Sequence, residues 1–233
     1  MFDINRHKFF MVQILKDIST DIALAGILGF KGGTALMFFY DLPRFSVDLD
    51  FNLLDISKEE MVYQKIRNIA LKYGTIHDEA IKHYGIIMVV NYGTGERKLK
   101  IEISNRNFDD KYEIKTFLGI PIKVMTQENM FAHKLCALLD RSSVTNRDIF
   151  DCWFFMNRQT PVNRSIIEHR MGMPYQKYIQ SCIDYLEKNK SLNILQGLGE
   201  FMDPEMKTFV RNKLKDETIN LLRFYKEFPI VGE

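Results

Sequence analysis

The chain has 233 residues, of which 46% are hydrophobic and 27% charged, a composition that excludes a disordered protein and fits one large or two small domains. The formal net charge of +2 excludes binding of nucleic acid through overall charge, so any basic surface has to be local. The three cysteines are far apart and indicate neither a disulfide framework nor a zinc site. Because the sequence lacks a signal-peptide pattern and an apolar run of membrane-spanning length, we expect a cytoplasmic protein with no membrane partner.

The first half of the chain alternates helical and extended patterns. Helical spacing marks residues 9–18, and a second apolar run ends at the pair Gly32 and Gly33. The segment TALMFFYDL then predicts a short helix and VDLDFNLL a strand, so the order is strand, glycine turn, helix, strand. After a helical pattern over residues 57–74, two β-hairpins are predicted, IIMVVNY with KLKIEIS and YEIKTF with IPIKVM, each around a glycine-containing turn.

The second half of the chain is predicted to be helical. One helix is expected to begin at Thr126 and another near Asn146, with Thr145 or Asn146 as its cap, and amphipathic stretches continue to Phe228. The change in pattern near Met125 is the candidate domain boundary, although no flexible linker marks it. We therefore expect an α+β protein with a short mixed β-sheet in residues 1–125 and a helical region in residues 126–233.

Two acidic residues, Asp48 and Asp50, lie two positions apart on the predicted strand VDLDFNLL. Because strand side chains alternate between faces, both carboxylates leave one face and their apolar neighbours take the other. Two like charges side by side favour a bound cation, and Mg²⁺ prefers carboxylate oxygens. The alternative is that both acids merely form the solvent face of an amphipathic sheet, which is the commoner outcome for an isolated Asp-x-Asp.

A third carboxylate, Glu102, lies between two isoleucines on the predicted strand KLKIEIS. It should project away from the core, as its apolar neighbours point inward, and we expect it to converge with Asp48 and Asp50. Three carboxylates can form a two-metal site for phosphoryl transfer, in which one ion activates the attacking hydroxyl and the other stabilises the leaving pyrophosphate. Asp48 and Asp50 would then bind both ions, with Glu102 on the nucleophile side.

The segment Lys-Gly-Gly-Thr places two glycines and a hydroxyl where a strand turns into a helix. Gly32 and Gly33 would let backbone N–H groups approach phosphate oxygens, and Thr34 could donate a further hydrogen bond. The alternative is structural, with the glycines supplying the turn and Thr34 capping the helix.

The stretch KGGTALMFFYDLPRFSVDLDF joins this turn to the acidic pair, and it resembles the signature of the AbiEii/AbiGii-type toxin nucleotidyltransferases of the DNA polymerase β-like nucleotidyltransferase superfamily. The resemblance covers four motifs between Lys31 and Asp151. It implies a polymerase β-like nucleotidyltransferase core, with Asp48 and Asp50 as metal ligands. It also implies that Glu102 occupies the third acidic position, where the family often has an aspartate.

The later motifs of the family resemble KLCAL, which begins at Lys134, and RDIFD, which contains Asp148 and Asp151. The resemblance implies that Lys134 binds the nucleotide phosphates and belongs to the catalytic set. It also implies that Asp148 helps to build the nucleotide pocket by orienting Lys134 or accepting from base or sugar, with Asp151 as a weaker candidate. Without the resemblance, Lys134 reads equally well as a surface lysine, and Asp148 more readily as a residue that complements a helix dipole.

Arg44 and Ser46 precede the acidic pair, as in the family pattern. They are candidate nucleotide-binding residues that would orient the carboxylates or the triphosphate. A purely structural role in the loop is about as well supported for each.

The function that these motifs imply is transfer of a nucleotide from a nucleoside triphosphate to a hydroxyl acceptor, with Mg²⁺ or Mn²⁺ as cofactor. The helical region would complete the nucleotide cleft. The resemblance further implies the toxin of a toxin-antitoxin system, a cognate antitoxin as partner, and RNA such as tRNA as an acceptor. Two alternatives stay open: a nucleotidyltransferase that modifies a small molecule or a protein, and a non-catalytic nucleotide-binding protein on the same scaffold.

Overall fold

The computed structural model describes residues 3–140, 146–189, 198 and 202–230. The chain forms two compact units. The first unit comprises Met1–Asp41, Ser46–Asn107 and Tyr112–Met125, and the second comprises Leu42–Phe45, Phe108–Lys111 and Thr126–Glu233. Two short segments from the first half of the sequence thus belong to the mainly helical second unit.

The first unit contains four α-helices and seven strands among its described residues. Its helices are α1 (Ile4–Thr20), α2 (Ile22–Ala25), α3 (Gly32–Phe39) and α4 (Glu59–Leu71), with a short 3-10 helix at Ile56–Lys58. Its strands are β1 (Leu28–Lys31), β2 (Leu49–Leu53), β3 (Thr75–Lys82), β4 (Gly85–Asn91), β5 (Leu99–Ser104), β6 (Tyr112–Phe117) and β7 (Ile120–Met125).

The seven strands form one mixed sheet in the order β3-β4-β5-β2-β1-β7-β6. Strand β2 pairs antiparallel with β1 and parallel with β5, while β1 pairs parallel with β7. Both predicted hairpins are present, as the antiparallel pairs β4 with β5 and β6 with β7. Strand β3, at one edge of the sheet, is absent from the sequence-based prediction because it is largely exposed and lacks a clear alternation of apolar residues.

Strand alternation separates an apolar face of the sheet from the face that carries the acids. On β2, Leu49 and Phe51 are buried, and on β5 the same holds for Ile101 and Ile103. Each such side chain contributes about 1.5–3 kcal/mol when it leaves water, so the pairing register is strongly specified. A shift of the pairing register by one residue would place the acidic side chains in the apolar core. Burial of the apolar residues therefore determines the face of the sheet on which Asp50 lies.

The second unit is a helical assembly. Its helices are α5 (Gln127–Asp140), α6 (Asn146–Asn157), α7 (Arg164–Met171), α8 (Tyr175–Lys188), α9 (Pro204–Asn212) and α10 (Leu214–Glu227). Helix α10 packs against α6 and α8, and the rings of Phe131, Phe155 and Tyr225 meet in the core. Asn146 is the first residue of α6, whereas the predicted alternative cap, Thr145, lies outside the described residues. In the part of the chain that the structure describes, no helix combines the length and apolarity that crossing a membrane requires.

Candidate active site

Asp48 and Asp50 lie at the start of β2, with Asp48 one residue before the strand begins. Two side chains from elsewhere in the first unit hold the backbone here. The hydroxyl of Thr34 donates to the carbonyl of Asp48, and the Nε2–H of buried His7 donates to the carbonyl of Val47 at 2.8 Å. The acidic pair is therefore fixed through its main chain.

His7 is held as a neutral ring in one tautomer. Its Nε2 must carry the proton, because a carbonyl oxygen can only accept, and its Nδ1 then accepts from the hydroxyl of Tyr92 at 2.5 Å. Burial lowers the pKa of His7, although the hydrogen bond to Val47 acts in the opposite direction. A neutral ring that donates to the carbonyl next to Asp48 stabilises this segment without placing a cation in the core.

The glycine turn lies directly against the acidic pair. Gly32 is the first residue of α3 and has a φ of +79°, a conformation that favours glycine. A Cβ atom at this position would overlap the carboxylate of Asp50. Thus Gly32 allows Asp50 to approach the N-terminus of α3, while Gly33 is buried one residue further along the helix.

Glu102 lies next to Asp50 across two parallel strands. The register pairs Asp50 of β2 with Glu102 of β5, which puts both side chains on the same face of the sheet. Lys100 lies two residues before Glu102, and its Nζ is 2.9 Å from Glu102 Oε2 and 3.9 Å from Asp48 Oδ2. We refer to these four residues, Asp48, Asp50, Glu102 and Lys100, as the acidic cluster.

The acidic cluster carries more negative than positive charge. Burial, followed by the charges of Asp48 and Glu102, raises the pKa of Asp50 to about 6, although Lys100 and Lys31 lower it. Burial also acts to raise the pKa of Glu102, but the hydrogen bond and charge of Lys100 hold it below the ordinary value. Asp50 and Glu102 thus differ, because Lys100 compensates the charge of Glu102, whereas burial and two neighbouring carboxylates disfavour the charge of Asp50.

This donor set fits a divalent cation bound through the two aspartates. Within the described residues, no group of three or more Asp, Glu, His or Cys side chains is arranged to hold a metal ion, and Glu102 accepts a hydrogen bond from Lys100. Mg²⁺ is commonly bound by only one or two carboxylates together with water and substrate phosphates. Asp48 and Asp50 supply that number, and the ammonium of Lys100 shows that a cation is already drawn to the same face.

A second charged group, which we call the buried ion network, lies in the second unit and consists of Arg44, Lys134, Asp148 and Asp151. Arg44 donates from Nε and Nη2 to both oxygens of Asp151, each at 2.6 Å. Lys134 Nζ lies 2.8 Å from Asp151 Oδ2 and 3.5 Å from Asp148 Oδ1. Two cations and two carboxylates are therefore balanced within one network.

Charge pairing keeps the buried ion network ionised. Burial alone would lower the pKa of Lys134, but the charges of Asp151 and Asp148 raise it above its ordinary value. For Asp151, burial acts upward and the charges of Arg44 and Lys134 bring the pKa below its ordinary value. The Asp151 side chain is fully buried with both oxygens paired, so it holds Arg44 and Lys134 in place.

Several side chains therefore have local partners other than those that the sequence indicated. The Thr34 hydroxyl donates to the Asp48 carbonyl, and Ser46 is buried in the segment before the acidic pair. Lys134 is closer to Asp151 than to Asp148, the residue that was expected to orient it. The sequence-based reasoning also missed Lys100 and His7; the Lys-x-Glu spacing on β5 was the available signal for Lys100.

A family model described as the nucleotidyl transferase AbiEii toxin of type IV toxin-antitoxin systems matches residues 13–221 of the chain. The chain belongs to this family. As an AbiEii family member it is a nucleotidyltransferase, which confirms the resemblance seen in the sequence motifs. Members of the family generally use a nucleoside triphosphate and a divalent metal.

Two solved structures from Helicobacter pylori have the same fold as this AbiEii family member. A candidate nucleotidyltransferase matches with a TM-score of 0.58 and 23% identity, over 96% of this chain and 94% of that chain. JHP933 matches with a TM-score of 0.56 and 22% identity, over 97% of this chain and 94% of that chain. The likeness confirms the predicted nucleotidyltransferase fold class. No curated protein sequence matches the chain.

Proposed function

We propose that this AbiEii family protein transfers a nucleotide from a nucleoside triphosphate to a hydroxyl acceptor, and that the transfer requires a divalent cation bound by Asp48 and Asp50. The observation that carries the proposal is the position of the two carboxylates: they are anchored through their backbone, partly open to solvent, and placed against the glycine turn at α3. The raised pKa of Asp50 supports it, because burial and then repulsion from Asp48 and Glu102 disfavour the charged carboxylate, and a bound cation would offset that repulsion.

The chemistry needs a nucleophile, a bound triphosphate and a leaving pyrophosphate. The acceptor oxygen attacks the α-phosphorus, the bond to the bridging oxygen of the β-phosphate breaks, and pyrophosphate leaves with the electron pair. The cation would promote loss of the hydroxyl proton and offset charge on the pyrophosphate. Glu102 is the proposed third carboxylate on the nucleophile side, and backbone N–H groups at Gly32 and Gly33 are the proposed phosphate donors.

Lys134 is the proposed cation for the nucleotide phosphates. Its side chain is 18% exposed although Asp148 and Asp151 bind its ammonium, so the network fixes the position of Lys134 without enclosing the whole side chain. Under this proposal Arg44 and Asp151 act by positioning Lys134, and Asp148 lines the nucleotide pocket. Replacement of Lys134 by Ala should then weaken nucleotide binding, and an unchanged affinity would limit Lys134 to a structural role in the buried ion network.

The proposed acceptor is RNA, with tRNA as one candidate, and the proposed setting is a toxin whose cognate antitoxin restrains it. Family membership supports the toxin role, since the matching model describes a type IV toxin-antitoxin system. Polymerase β-like chemistry does not itself depend on which molecule supplies the hydroxyl, so the acceptor has to be identified by experiment.

The test compares the wild type with Asp48→Asn and Asp50→Asn, because each change removes one charged ligand at nearly constant side-chain volume. The control is Asp78→Asn, the same change at an exposed position of β3. Labelled nucleoside triphosphates are incubated with total cellular RNA and Mg²⁺, and thermal unfolding is recorded in parallel. Both active-site variants should be folded and inactive, while the control should incorporate nucleotide at the wild-type rate.

Three outcomes would contradict parts of the proposal. Full activity of either active-site variant would remove the aspartates from the mechanism. Transfer of the label only to protein or to small molecules would show that one of these, and not RNA, is the acceptor. Growth arrest on expression of the folded, inactive variants would favour a binding protein over an enzyme.

A further inference from the structure

Lys100 occupies a position on the acid-bearing face that the proposed mechanism leaves unexplained. It lies on β5 two residues before Glu102, and strand alternation gives the two side chains the same face. The parallel register pairs Leu49 with Ile101 and Asp50 with Glu102, so Lys100 lies alongside Asp48. The sheet thus places the ammonium between Asp48, a proposed ligand of the cation, and Glu102, the third carboxylate.

The contacts of Lys100 show that it acts as a cation for two different carboxylates. Its Nζ donates to Glu102 Oε2 at 2.9 Å and lies 3.9 Å from Asp48 Oδ2, while its side chain is 36% exposed. Burial acts to lower the pKa of Lys100, but Glu102, Asp48 and Asp50 raise it, so the group remains protonated. A permanent positive charge therefore already lies beside the proposed metal ligands.

A positive charge this close to Asp48 opposes the binding of a second cation by the same carboxylate. Two unit charges about 4 Å apart interact appreciably even near a protein surface, where water reduces the energy strongly. The triphosphate of a nucleotide removes this opposition to metal binding. Its negative oxygens can accept hydrogen bonds from the ammonium of Lys100 and can also act as ligands of the metal. The four-carbon stem of lysine allows such a change of partner.

We propose that Lys100 is a positioning residue that serves as the internal cation of the acidic cluster, so that a divalent metal binds well only together with the nucleotide. Before nucleotide binds, Lys100 holds Glu102 and Asp48 together and keeps metal affinity low. When the triphosphate binds, Lys100 moves its hydrogen bond from Glu102 to a phosphate oxygen and releases both carboxylates. The inference rests on the proposed function, since it presupposes that Asp48 and Asp50 are the metal ligands.

The experiment measures binding of Mn²⁺ without nucleotide, by the electron paramagnetic resonance signal of the free ion. Replacement of Lys100 by Met removes the charge and keeps the length of the side chain. We expect Lys100→Met to bind Mn²⁺ about tenfold more tightly than the wild type, and Lys100→Arg, which keeps the charge, to bind as weakly as the wild type. Lys98→Met serves as the control, because Lys98 contacts His77 outside the acidic cluster and its loss should leave Mn²⁺ affinity unchanged.

The second measurement is the affinity for a non-hydrolysable nucleoside triphosphate analogue in the presence of Mn²⁺. Lys100→Met should bind the analogue several-fold more weakly than the wild type, because the phosphate oxygens lose a donor. A thermal unfolding curve establishes that the variant is folded, and Lys100→Gln replaces it if Lys100→Met does not fold.

The outcomes separate this inference from the proposed function. Equal Mn²⁺ affinity of wild type and Lys100→Met, with binding abolished by Asp48→Asn, would overturn the inference and leave the metal site intact. Absence of Mn²⁺ binding in every protein, with and without the analogue, would overturn the metal-dependent function and the inference together. Tighter binding of the analogue by Lys100→Met would overturn the proposed exchange of partners.

Discussion

The two charged groups of this protein differ in balance and in exposure. In the acidic cluster, three carboxylates face Lys100, and Asp48, Glu102 and Lys100 are 29%, 43% and 36% exposed. In the buried ion network, two carboxylates meet two cations, and the side chains of Arg44 and Asp151 are 4% and 0% exposed. An excess of negative charge that solvent can reach is suited to bind a cation, whereas a balanced and buried network is suited to hold side chains in place.

The largest predicted effect comes from replacing one aspartate by asparagine in each group. The free energy of unfolding should change much more in the buried ion network than in the acidic cluster. Asp151→Asn removes the carboxylate that pairs with both Arg44 and Lys134 and leaves the two buried cations with Asp148 as the remaining carboxylate of the network, so it should lower the free energy of unfolding by about 3 kcal/mol. Asp48→Asn removes one of three mutually repelling carboxylates, and it should change the free energy of unfolding by less than about 1 kcal/mol. Urea denaturation in EDTA, followed by circular dichroism, measures both. Similar losses in the two variants would show that the groups do not differ as described.

Comparison of Gly32→Ala with Gly95→Ala separates the cost of backbone strain from the effect of displacing the Asp50 carboxylate. Gly32 and Gly95 both have a φ of +79°, but only at Gly32 would a Cβ overlap Asp50, since the space at Gly95 is open. Each change to Ala should cost about 1–2 kcal/mol of stability through the left-handed backbone. Only Gly32→Ala should also move the carboxylate, and nucleotide incorporation should fall at least about tenfold because a small displacement at a reacting centre is costly. Equal activity of the two variants would mean that the contact with Gly32 does not position Asp50.

The smallest predicted effect is the pH dependence of stability, which has opposite signs for Asp50 and Asp151. The pKa of Asp50 is raised from 3.8 to about 6, so the folded state holds this proton more tightly than the unfolded state. Stability without metal should therefore fall as pH rises from about 4 to about 6, by about 1 kcal/mol once partial exposure is allowed for. The pKa of Asp151 is lowered, so its stabilisation is present throughout this window and is lost only as the pH falls further.

Thermal unfolding of the wild type and Asp50→Asn in EDTA, at steps between pH 4 and pH 6, checks the sign. The difference between the two proteins should grow with pH in favour of the variant. A difference that stays constant across this range would show that Asp50 titrates in the folded protein as it does in the unfolded chain.

Local patterns in the sequence were sufficient to predict the glycine turn, the strand with the acidic pair and both hairpins. Turn residues and alternating apolar residues act over a few positions, so they can be read directly. The edge strand Thr75–Lys82 could not be predicted in this way, because none of its residues is buried and its extended conformation depends on hydrogen bonding to β4.

The contacts that define the two charged groups were harder to predict because they depend on tertiary structure. Arg44 and Asp151 form their bidentate pair across a large sequence separation, and each motif alone suggested a nucleotide contact. Lys100 is similar: a lysine two residues from a glutamate on a strand also fits a solvated surface. Only the parallel pairing of β2 with β5 shows that Asp48 lies beside it.

The position of β2 between β1 and β5 has a consequence for the synthesis of the protein. Asp50 is paired with Lys31 on one side and with Glu102 on the other, so the acidic cluster needs two strand pairings, one of which spans about fifty residues and forms slowly. A growing chain that carries both aspartates therefore has no assembled cluster until β5 has left the ribosome. Partial translation products of this AbiEii family member should consequently be inert, and catalytic capacity should arise only when the sheet closes around its central strand.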